Sequence, residues 1–451
     1  MKIQKKAINM ITDSPGKALF YFALPMILGN LFQQFYNIID SVVVGRFVGV
    51  DALASVGASY SITNVFIAVA VGGGIGSSVV VSQFLGARQL GNMKTAISTT
   101  LINFIVIGVL LGGLGLIFSQ TILRFMNTPE NVFQDASVYL SIYFIGLPFL
   151  FMYNVQASVF RALGDSKTPL YLLIFSSVLN ILLDLLFVIQ FHLGVAGVAL
   201  ATLTAQGISA VISFLFLVHY LKAYDRTETF HFYDGVMMLH MMKVAIPSTL
   251  QQSIVYIGML LVQSVVNGFG SEVMAGFAAG TRIESICIVP MLALGNAMST
   301  YTAQNMGAER TDRVRKGYGS CYFMTGTFAV IICLIMGIWG DVFIGNFLDE
   351  SSSLTAFKTG VDYVTFLSFF YVFIGLKATT DGVLRGAGDV LIFTAANLVN
   401  LIIRVSASFV FAPVIGVQAV WFAVPLGWIA NYIISLFRYL SGRWEKIRLI
   451  S

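Results

Sequence analysis

The sequence predicts an all-helical integral membrane protein of about twelve spans, built from two parallel repeats of six helices. Three observations predict it. Of 451 residues, 57% are hydrophobic and only 10% are charged, whereas soluble domains carry about 25% charged residues. Apolar runs long enough to cross a bilayer, which takes about 20 residues per helix, recur along the whole chain. Short motifs of the first half return in the second half. Continuous apolar runs also favour helices over a β-barrel, whose strands alternate apolar and polar residues.

The predicted spans are runs without a formal charge, six in each half. A turn at His192-Leu193-Gly194 is expected to split the sixth run, and Pro413 to Gly416 interrupts the last. The runs are 18–39, 52–87, 95–123, 136–160, 168–183 and 185–221 in the first half, then 244–271, 285–308, 317–340, 359–376, 390–403 and 405–437 in the second.

Lysine and arginine predict the orientation in the membrane, because cytoplasmic loops carry an excess of both. With the N-terminus inside, 20 of the 26 basic residues fall in inside segments, three outside and three within spans. Both termini are therefore expected in the cytoplasm. The basic charge is spread over alternate loops, which argues against a nucleic-acid partner. No cleavage-site pattern precedes the first span, so no cleaved signal peptide is expected.

An internal repeat relates the two halves, because four motifs return in the same order about 222 residues later. An even number of spans per unit gives both halves the same orientation, which predicts a parallel repeat. The predicted division is residues 1–222 for the first lobe, 223–242 for a cytoplasmic linker and 243–451 for the second lobe. The matched segments are Ala23-Leu24-Pro25 with Ala245-Ile246-Pro247, 83–88 with 304–309, 161–165 with 385–389, and 180–184 with 400–404.

Polar residues in the first lobe predict a functional pocket. Asn30, Gln33, Asn37 and Asp40 follow helical spacing on the first span. The amides are equally explained by hydrogen bonds between helices, but an acid at membrane depth is a functional candidate by default.

The fifth and sixth spans carry matching polar faces. Asp184 shares a face with Ser177 and Asn180, and Thr202 and Gln206 share one with Ser209 and Ser213. If these faces converge with Asp40, two carboxylates meet near the outer side and can hold a shared proton. The same oxygens, with Asn180 and the Thr202 hydroxyl, can instead hold Na⁺. The sequence leaves both ions open.

The second lobe differs at the matching positions. Glu284 lies two residues from Arg282, and Asp381 lies four residues from Lys377, so mutual neutralisation is the favoured explanation for both pairs. Arg404 stands where Asp184 stood, as a fixed counter-cation or a side chain that snorkels to the interface.

Other motifs carry no catalytic prediction. The string Gly386-Ala387-Gly388-Asp389, found in intramembrane proteases, recurs as a turn at 162–165. The glycine run 72–76 follows no strand and predicts close helix packing. Cys287, Cys321 and Cys333 lie in apolar stretches and are expected to be packing thiols. The chain is therefore not expected to be an enzyme, and no cofactor is predicted.

The ordered motifs resemble those of the multidrug and toxic compound extrusion (MATE) transporters over nearly the whole chain. The matching segments are Leu24-Pro25, 33–40, 44–46, 83–87, 161–165, 180–184, 194–197, 282–284 and 303–308.

This resemblance implies two six-helix lobes around a central cleft that rock between outward and inward states. It implies export of cationic, amphipathic organic compounds in exchange for H⁺ or Na⁺ across the plasma (inner) membrane. The coupling site for H⁺, which could equally be a Na⁺ site, would be Asp40, Asn180, Asp184 and Thr202, with Pro25 as a hinge; a static bend at Pro25 is the alternative. Candidates for the substrate cleft are Gln33, Gln34, Asn37, Gln206, Gln252 and Tyr256, and for a second-lobe site Glu284, Asp381 and Arg404.

Three alternatives accompany this expectation. A flippase for lipid-linked saccharides would need several cations at depth to hold diphosphate, but here these are only Arg282, Lys377 and Arg404. A membrane enzyme lacks a catalytic constellation, and a channel does not explain a tandem repeat. The expected partners are small organic cations and the lipid bilayer, and the expected state is a monomer.

Overall fold

The structure is a computed structural model that describes residues 9–126, 128–224, 229–348 and 353–450. Lys2, Lys5, Lys6 and Arg226, which enter the orientation prediction, lie outside these ranges, as do residues 225–228 of the predicted linker. The described residues form helices and no strand. The helices are α1 Pro15–Phe47, α2 Val50–Gly86, α3 Leu90–Phe125, α4 Glu130–Ala162, α5 Lys167–Leu185, α6 Gly194–Leu221, α7 Gly235–Asn267, α8 Ser271–Cys287, α9 Val289–Gly307, α10 Thr311–Gly345, α11 Leu354–Ser368, α12 Tyr371–Ala387, α13 Val390–Ile415 and α14 Gln418–Leu440.

Ten of the described helical segments are long and apolar enough to cross a membrane. Two further helix pairs, α8 with α9 and α11 with α12, pass together and are bent by 41° and 52°. With each bent pair counted as one span, the described chain has up to twelve spans, which confirms the predicted fold class. Pro290 follows the first break directly, and its missing N–H group removes a hydrogen bond across that break. The break within the predicted run 359–376 was not anticipated.

Two predicted interruptions are confirmed. A π-helical turn, Leu186–Gln190, extends α5, and the chain then turns through His192 and Gly194 at φ angles of 53° and 55°. The second interruption ends α13 at Ile415, and Gly416 follows at φ 72°. Positive φ values of this size cost little for glycine and end a helix.

The repeat is visible in the backbone as well as in the sequence. Arg88 and Glu309, which occupy matching positions after Gly-Ala, have φ angles of 60° and 56°. Non-glycine residues seldom adopt such angles, so the two halves share an unusual local geometry. Gly164 and Gly388, in the matching turns, have φ angles of 86° and 87°. These turns belong to helix connections, as predicted when the protease-like string was set aside.

The chain divides into two compact units, each packed mainly against itself. The first contains residues 28–249, and the second contains 250–451 together with the described residues before Leu28. Each of two helices is therefore shared between the units. The boundary falls two residues after Pro25 in α1 and two residues after Pro247 in α7. The lobes predicted at 1–222 and 243–451 follow chain order and stay a prediction, because the compact units divide these two helices.

Within the first unit, α4 contacts α2, α3 and α6. The glycine run 72–76 lies on α2 against the start of α7. A Cβ atom on Gly72 would lie 2.5 Å from Thr249 Cα, and one on Gly76 would lie 2.5 Å from Ala245 N. The backbones therefore meet too closely for any side chain, which confirms the prediction of close helix packing.

Within the second unit, the first part of α1 packs into a buried cluster. Met10, Leu19 and Phe22 are buried there with Tyr301 and Trp444. Polar side chains donate hydrogen bonds to backbone oxygens in the segment before α1. Asn305 Nδ2 donates to Met10 O at 3.1 Å, and Arg313 Nη2 donates to Asp13 O at 2.5 Å. These contacts fix the beginning of the helix that carries Asp40.

The three cysteines are free thiols, as predicted. Cys287 and Cys321 are buried, and Cys333 is half-buried. None of the described cysteines forms a disulfide, and each lies on an apolar helix.

Candidate ion-coupling site

Three helices of the first unit bring the predicted site residues together. Asp40 lies near the C-terminal end of α1, Asn180 and Asp184 lie near the end of α5, and Thr202 lies in the first part of α6. Ser177, Asn180 and Asp184 are all buried, which confirms that they share one face of α5. Asp184 is followed at once by the π-helical turn, a distortion that is frequent at functional sites.

Asp40 and Asp184 meet at the centre of the site. Their carboxyl groups lie close enough to interact directly with each other. An ionised carboxylate only accepts hydrogen bonds, so this contact requires a proton or a bound cation between the two groups. One oxygen of each carboxyl, Oδ1, is buried without a hydrogen-bond partner. The pair therefore has unused acceptor capacity in a place where water is scarce.

Asn180 connects the carboxyl pair to the neighbouring helices. With its amide nitrogen toward Asp184, it donates to Asp184 Oδ2 at 3.2 Å, and its oxygen accepts from the Thr202 backbone N–H at 3.1 Å. With the amide turned the other way, its nitrogen donates to Thr202 Oγ1 at 3.4 Å. Asn180 can thus present either a donor or an acceptor to the carboxyl pair, depending on how its amide is turned.

Two tyrosines that were not among the predicted site residues complete the site. The Tyr36 hydroxyl is hydrogen-bonded to the side-chain amide of Asn180, and Tyr139 on α4 lies close enough to interact electrostatically with Asp40 and Asp184. Tyr36 precedes Asp40 by four residues and so lies on the same helix face, a signal that could have identified it. Tyr139 comes from another helix, and no local pattern points to it.

A very small cavity of about 10 Å³ lies beside the site. Its lining includes Tyr139, Tyr143, Thr202 and Gln206. Ser209 and Ser213, further along α6, are buried with hydroxyl oxygens that have no partner. The polar face predicted on α6 therefore continues, beyond Thr202 and Gln206, as buried serine hydroxyls.

The amides of α1 bond to each other along the helix. Gln33 Nε2 donates to Asn37 Oδ1 at 3.2 Å, along the helix. Asn30 and Asn37 are exposed, while Gln33 and Gln34 are half-buried. This confirms a polar stripe along α1, and the hydrogen bond between Gln33 and Asn37 lies within one helix rather than between helices.

Gln252 and Tyr256 lie in the part of α7 that belongs to the second unit. Both are half-buried, as is Gln206 in the first unit. Their role in lining a substrate cleft stays a prediction, as does that of the α1 amides.

In the second unit, one of the two predicted charge pairs forms. Lys377 Nζ lies 3.2 Å from Asp381 Oδ2, with both side chains largely buried. Asn397 Oδ1 accepts from Lys377 Nζ at 3.0 Å, and Ser435 Oγ donates to Asp381 Oδ1 at 2.7 Å. Each charged group of this pair thus has further polar partners, which agrees with mutual neutralisation.

The other predicted pair is wrong. Arg282 is exposed, while Glu284, two residues later, is buried and accepts a hydrogen bond from the Tyr363 hydroxyl at 2.7 Å. Residues two apart point to different faces of a helix, which separates the two side chains. The cation that interacts with Glu284 is Arg404 on α13.

A repeated set of apolar, membrane-length helices that brings two carboxyl groups together is typical of a polytopic membrane protein of the transporter class. The MatE family model matches the chain twice, over residues 25–186 and 247–410, once in each half. Both matches begin at the repeated prolines, Pro25 and Pro247.

Known proteins are similar over almost the full length. "Probable multidrug resistance protein YpnP" of Bacillus subtilis is 30% identical over 99% of both chains. "Probable multidrug resistance protein YoeA" of the same organism is 28% identical over 96% of this chain and 95% of its own. The outward-facing structure of a multidrug resistance MATE family transporter of the MOP superfamily superposes with a TM-score of 0.89, at 22% identity, over 98% of this chain and 99% of that one.

The chain therefore belongs to the MatE family of multi-span membrane transporters. Its relatives are transporters rather than enzymes, and the comparisons do not favour the flippase alternative.

Proposed function

We propose that this protein is a secondary active antiporter that exports cationic, amphipathic organic compounds in exchange for H⁺ or Na⁺, by rocker-switch alternating access. One observation carries the proposal, which is that the interacting carboxyl groups of Asp40 on α1 and Asp184 on α5 each keep a buried oxygen without a hydrogen-bond partner. The remaining site residues, Asn180, Thr202 and Tyr36, surround these carboxyl groups.

Electrostatics explain why such a pair needs a cation. Two like charges about 4 Å apart repel by about 4 kcal/mol even at an effective dielectric constant of 20. Asp184 is fully buried, so water cannot screen that repulsion. A proton removes one charge and supplies the missing hydrogen-bond donor, whereas Na⁺ offsets the charge and takes up free oxygens. Loss of the cation would push α1 and α5 apart at this point.

The surrounding groups suit both ions. Na⁺ would take its oxygen ligands from Asp40, Asp184, the Asn180 amide and the Thr202 hydroxyl. H⁺ would need only the two carboxyls, with Asn180 turning its amide to match. Either ion would serve the proposed antiport, and separate proton and sodium gradients distinguish H⁺ coupling from Na⁺ coupling.

The link from ion to motion runs through α1. Pro25 lies inside this helix, where its ring leaves one backbone carbonyl without its helical partner and permits a bend. Asp40 lies further along the same helix. We propose that ion binding at Asp40 and Asp184 changes the preferred bend at Pro25. A ligand shifts a conformational equilibrium only by its differential affinity for the two states, and the carboxyl contact supplies such a difference.

The substrate class is inferred from the site and from the relatives. The relatives YpnP and YoeA carry multidrug resistance in their names. An organic cation would be attracted to carboxylates that have released their ion, so the two cations would compete and exchange. Candidates for contact with the organic part are Gln33, Gln34, Asn37, Gln206, Gln252 and Tyr256.

The test is transport of a fluorescent organic cation, ethidium, into or out of proteoliposomes that contain the purified full-length protein. Proton and sodium gradients are imposed separately. The variants are Asp40→Asn and Asp184→Asn, which keep the side-chain shape and remove the charge. Asp135→Asn is the matched control, because Asp135 is an exposed acid at the start of α4.

Gradient-driven transport by the wild type and the control, lost in both site variants, is the expected result, and the active gradient identifies the ion. Transport that survives in both site variants would refute the assignment of coupling to this pair. Absence of ethidium transport under either gradient, with correctly folded protein, would refute the substrate class. The proposed setting is the plasma membrane, as a monomer with both termini in the cytoplasm.

A further inference from the structure

A second buried acid lies in the second unit, away from the carboxyl pair. Glu284 on α8 is 6% exposed, and its Oε2 accepts a hydrogen bond from the Tyr363 hydroxyl on α11 at 2.7 Å. Tyr363 is fully buried, and its ring packs against Trp421 on α14 with centroids 6.3 Å apart. An acid in such surroundings requires a positive charge or a proton.

Arg404 on α13 provides the positive charge. It interacts electrostatically with both Glu284 and Tyr363. Its Nε atom is buried and has no hydrogen-bond partner. The four ion pairs of the described residues do not include this one, so Arg404 acts on the acid over more than ion-pair distance. The three side chains come from three different helices and interact with one another.

Two members of this cluster, Tyr363 and Arg404, occupy repeat positions that match residues of the first-lobe site. Asn400 and Arg404 are the repeat counterparts of Asn180 and Asp184. Tyr363 precedes Arg385 by the same number of residues as Tyr139 precedes the matching Arg161. An asparagine, a tyrosine and a charged residue therefore recur in the same arrangement along the chain, but the charge on α13 is reversed.

Asn400, the counterpart of Asn180, also has a side-chain oxygen that is available for a ligand. Asn400 Oδ1 is buried without a hydrogen-bond partner, and a side chain on Gly427 of α14 would clash with it. The glycine thus permits α14 to approach an asparagine whose oxygen is left free. Tyr371 and Trp421 also carry buried polar atoms without partners. Buried polar groups without partners are rare in native proteins and call for an explanation, and a binding site is one such explanation.

We propose that the second lobe contains a monovalent-cation site that the protein fills with its own side chain, Arg404, whose guanidinium stands where H⁺ or Na⁺ stands in the first lobe. Glu284 and Tyr363 supply oxygens to this site, as Asp40 and its neighbours would in the first-lobe site. Because the cation is tethered, it stays in place through the transport cycle. Removal of the Arg404 side chain would open a site for a small free cation, above all for guanidinium, whose shape and charge it matches.

A consequence for coupling rests on the proposed antiport function. If the second-lobe site is permanently filled, ion exchange is confined to Asp40 and Asp184. The tethered-cation site itself does not depend on antiport, and the experiment uses folding rather than transport as its readout, so the two proposals fail separately.

The test is thermal unfolding of the purified full-length protein in detergent, with guanidinium chloride titrated in the low millimolar range and potassium chloride as the salt control. Arg404→Ala is the test variant. Arg282→Ala is the matched control, because Arg282 is an exposed arginine two residues from Glu284. Glu284→Gln combined with Arg404→Ala removes both charges and with them the reason for cation binding.

Arg404→Ala is expected to unfold at a lower temperature than the wild type, and guanidinium is expected to restore it by a saturable rise of about 3 °C or more. The wild type, Arg282→Ala and the double variant should show no saturable rise. Fluorescence of Trp421, next to Tyr363, should follow the same titration in Arg404→Ala. An equal response in the double variant, or a saturable rise in the wild type, would overturn the proposal.

If Arg404→Ala does not fold, a second set of variants tests the proposal. Arg404→Lys keeps a tethered cation and should unfold closer to the wild type than Arg404→Met does. Arg404→Met combined with Glu284→Gln should be more stable than the sum of the two single changes predicts, because coupled residues are non-additive. Additive effects across this cycle would show that Arg404 and Glu284 do not form one site.

Discussion

Replacement of Tyr36 by phenylalanine removes one hydroxyl and nothing else from the first-lobe site. That hydroxyl is hydrogen-bonded to the Asn180 amide and links α1 to α5 beside the carboxyl pair. A neutral hydrogen bond contributes about 1 kcal/mol net, which corresponds to about a five-fold change in an equilibrium constant. Since this bond holds Asn180 in place beside the proposed ion site, we expect the coupling ion to bind about five-fold more weakly in Tyr36→Phe.

The measurement is the ion concentration that gives half-maximal ethidium transport in proteoliposomes. The maximal rate should stay close to that of the wild type, because both carboxyls remain. Tyr21→Phe is the control: Tyr21 is exposed on the same helix, and its hydroxyl has no hydrogen-bond partner among the described residues. An unchanged half-maximal concentration in Tyr36→Phe would refute the role given to this hydroxyl. Complete loss of transport would also refute it, because one neutral hydrogen bond cannot account for so large an effect.

Two further predictions concern stability. In Gly76→Ala the new Cβ atom would lie 2.5 Å from Ala245 N, so backbone must shift at a cost of about 1–3 kcal/mol; the melting temperature in detergent should fall, whereas Gly113→Ala, with nothing within 4 Å, should leave it unchanged or raise it slightly. Equal melting of these two variants would contradict the packing argument. Lys377→Met should cost about 3–5 kcal/mol because it leaves Asp381 buried without its cation. Adding Asp381→Asn should recover much of the loss, and failure to recover it would show that Lys377 acts mainly through packing.

Much of the fold follows from local sequence. Bilayer hydrocarbon demands helices whose backbone bonds are internal, so long charge-free runs specify spans without reference to partners. The repeat is equally local, because Arg88 and Glu309 adopt the same rare conformation from the same preceding motif. The acids at Asp40 and Asp184 also stood out from sequence alone, since a carboxylate is costly at membrane depth.

Breaks inside spans were harder to predict. The bend between α11 and α12 lies within a continuous apolar run, at Phe369 and Phe370. Hydropathy averages over such a position and carries no signal for it. The earlier bend before Pro290 had a proline as a signal, but proline is tolerated in membrane helices, so its presence alone does not specify a break.

The sequence by itself determined the class, the repeat and the two acids, because each depends on what one segment costs in a membrane. Only the tertiary structure decided the partners. Tyr139 lies beside the carboxyl pair. Glu284 accepts a hydrogen bond from Tyr363 and interacts electrostatically with Arg404 rather than with Arg282. The physical reason is that helical spacing specifies which residues share a face, whereas the neighbour that a face meets depends on how helices distant in sequence pack together.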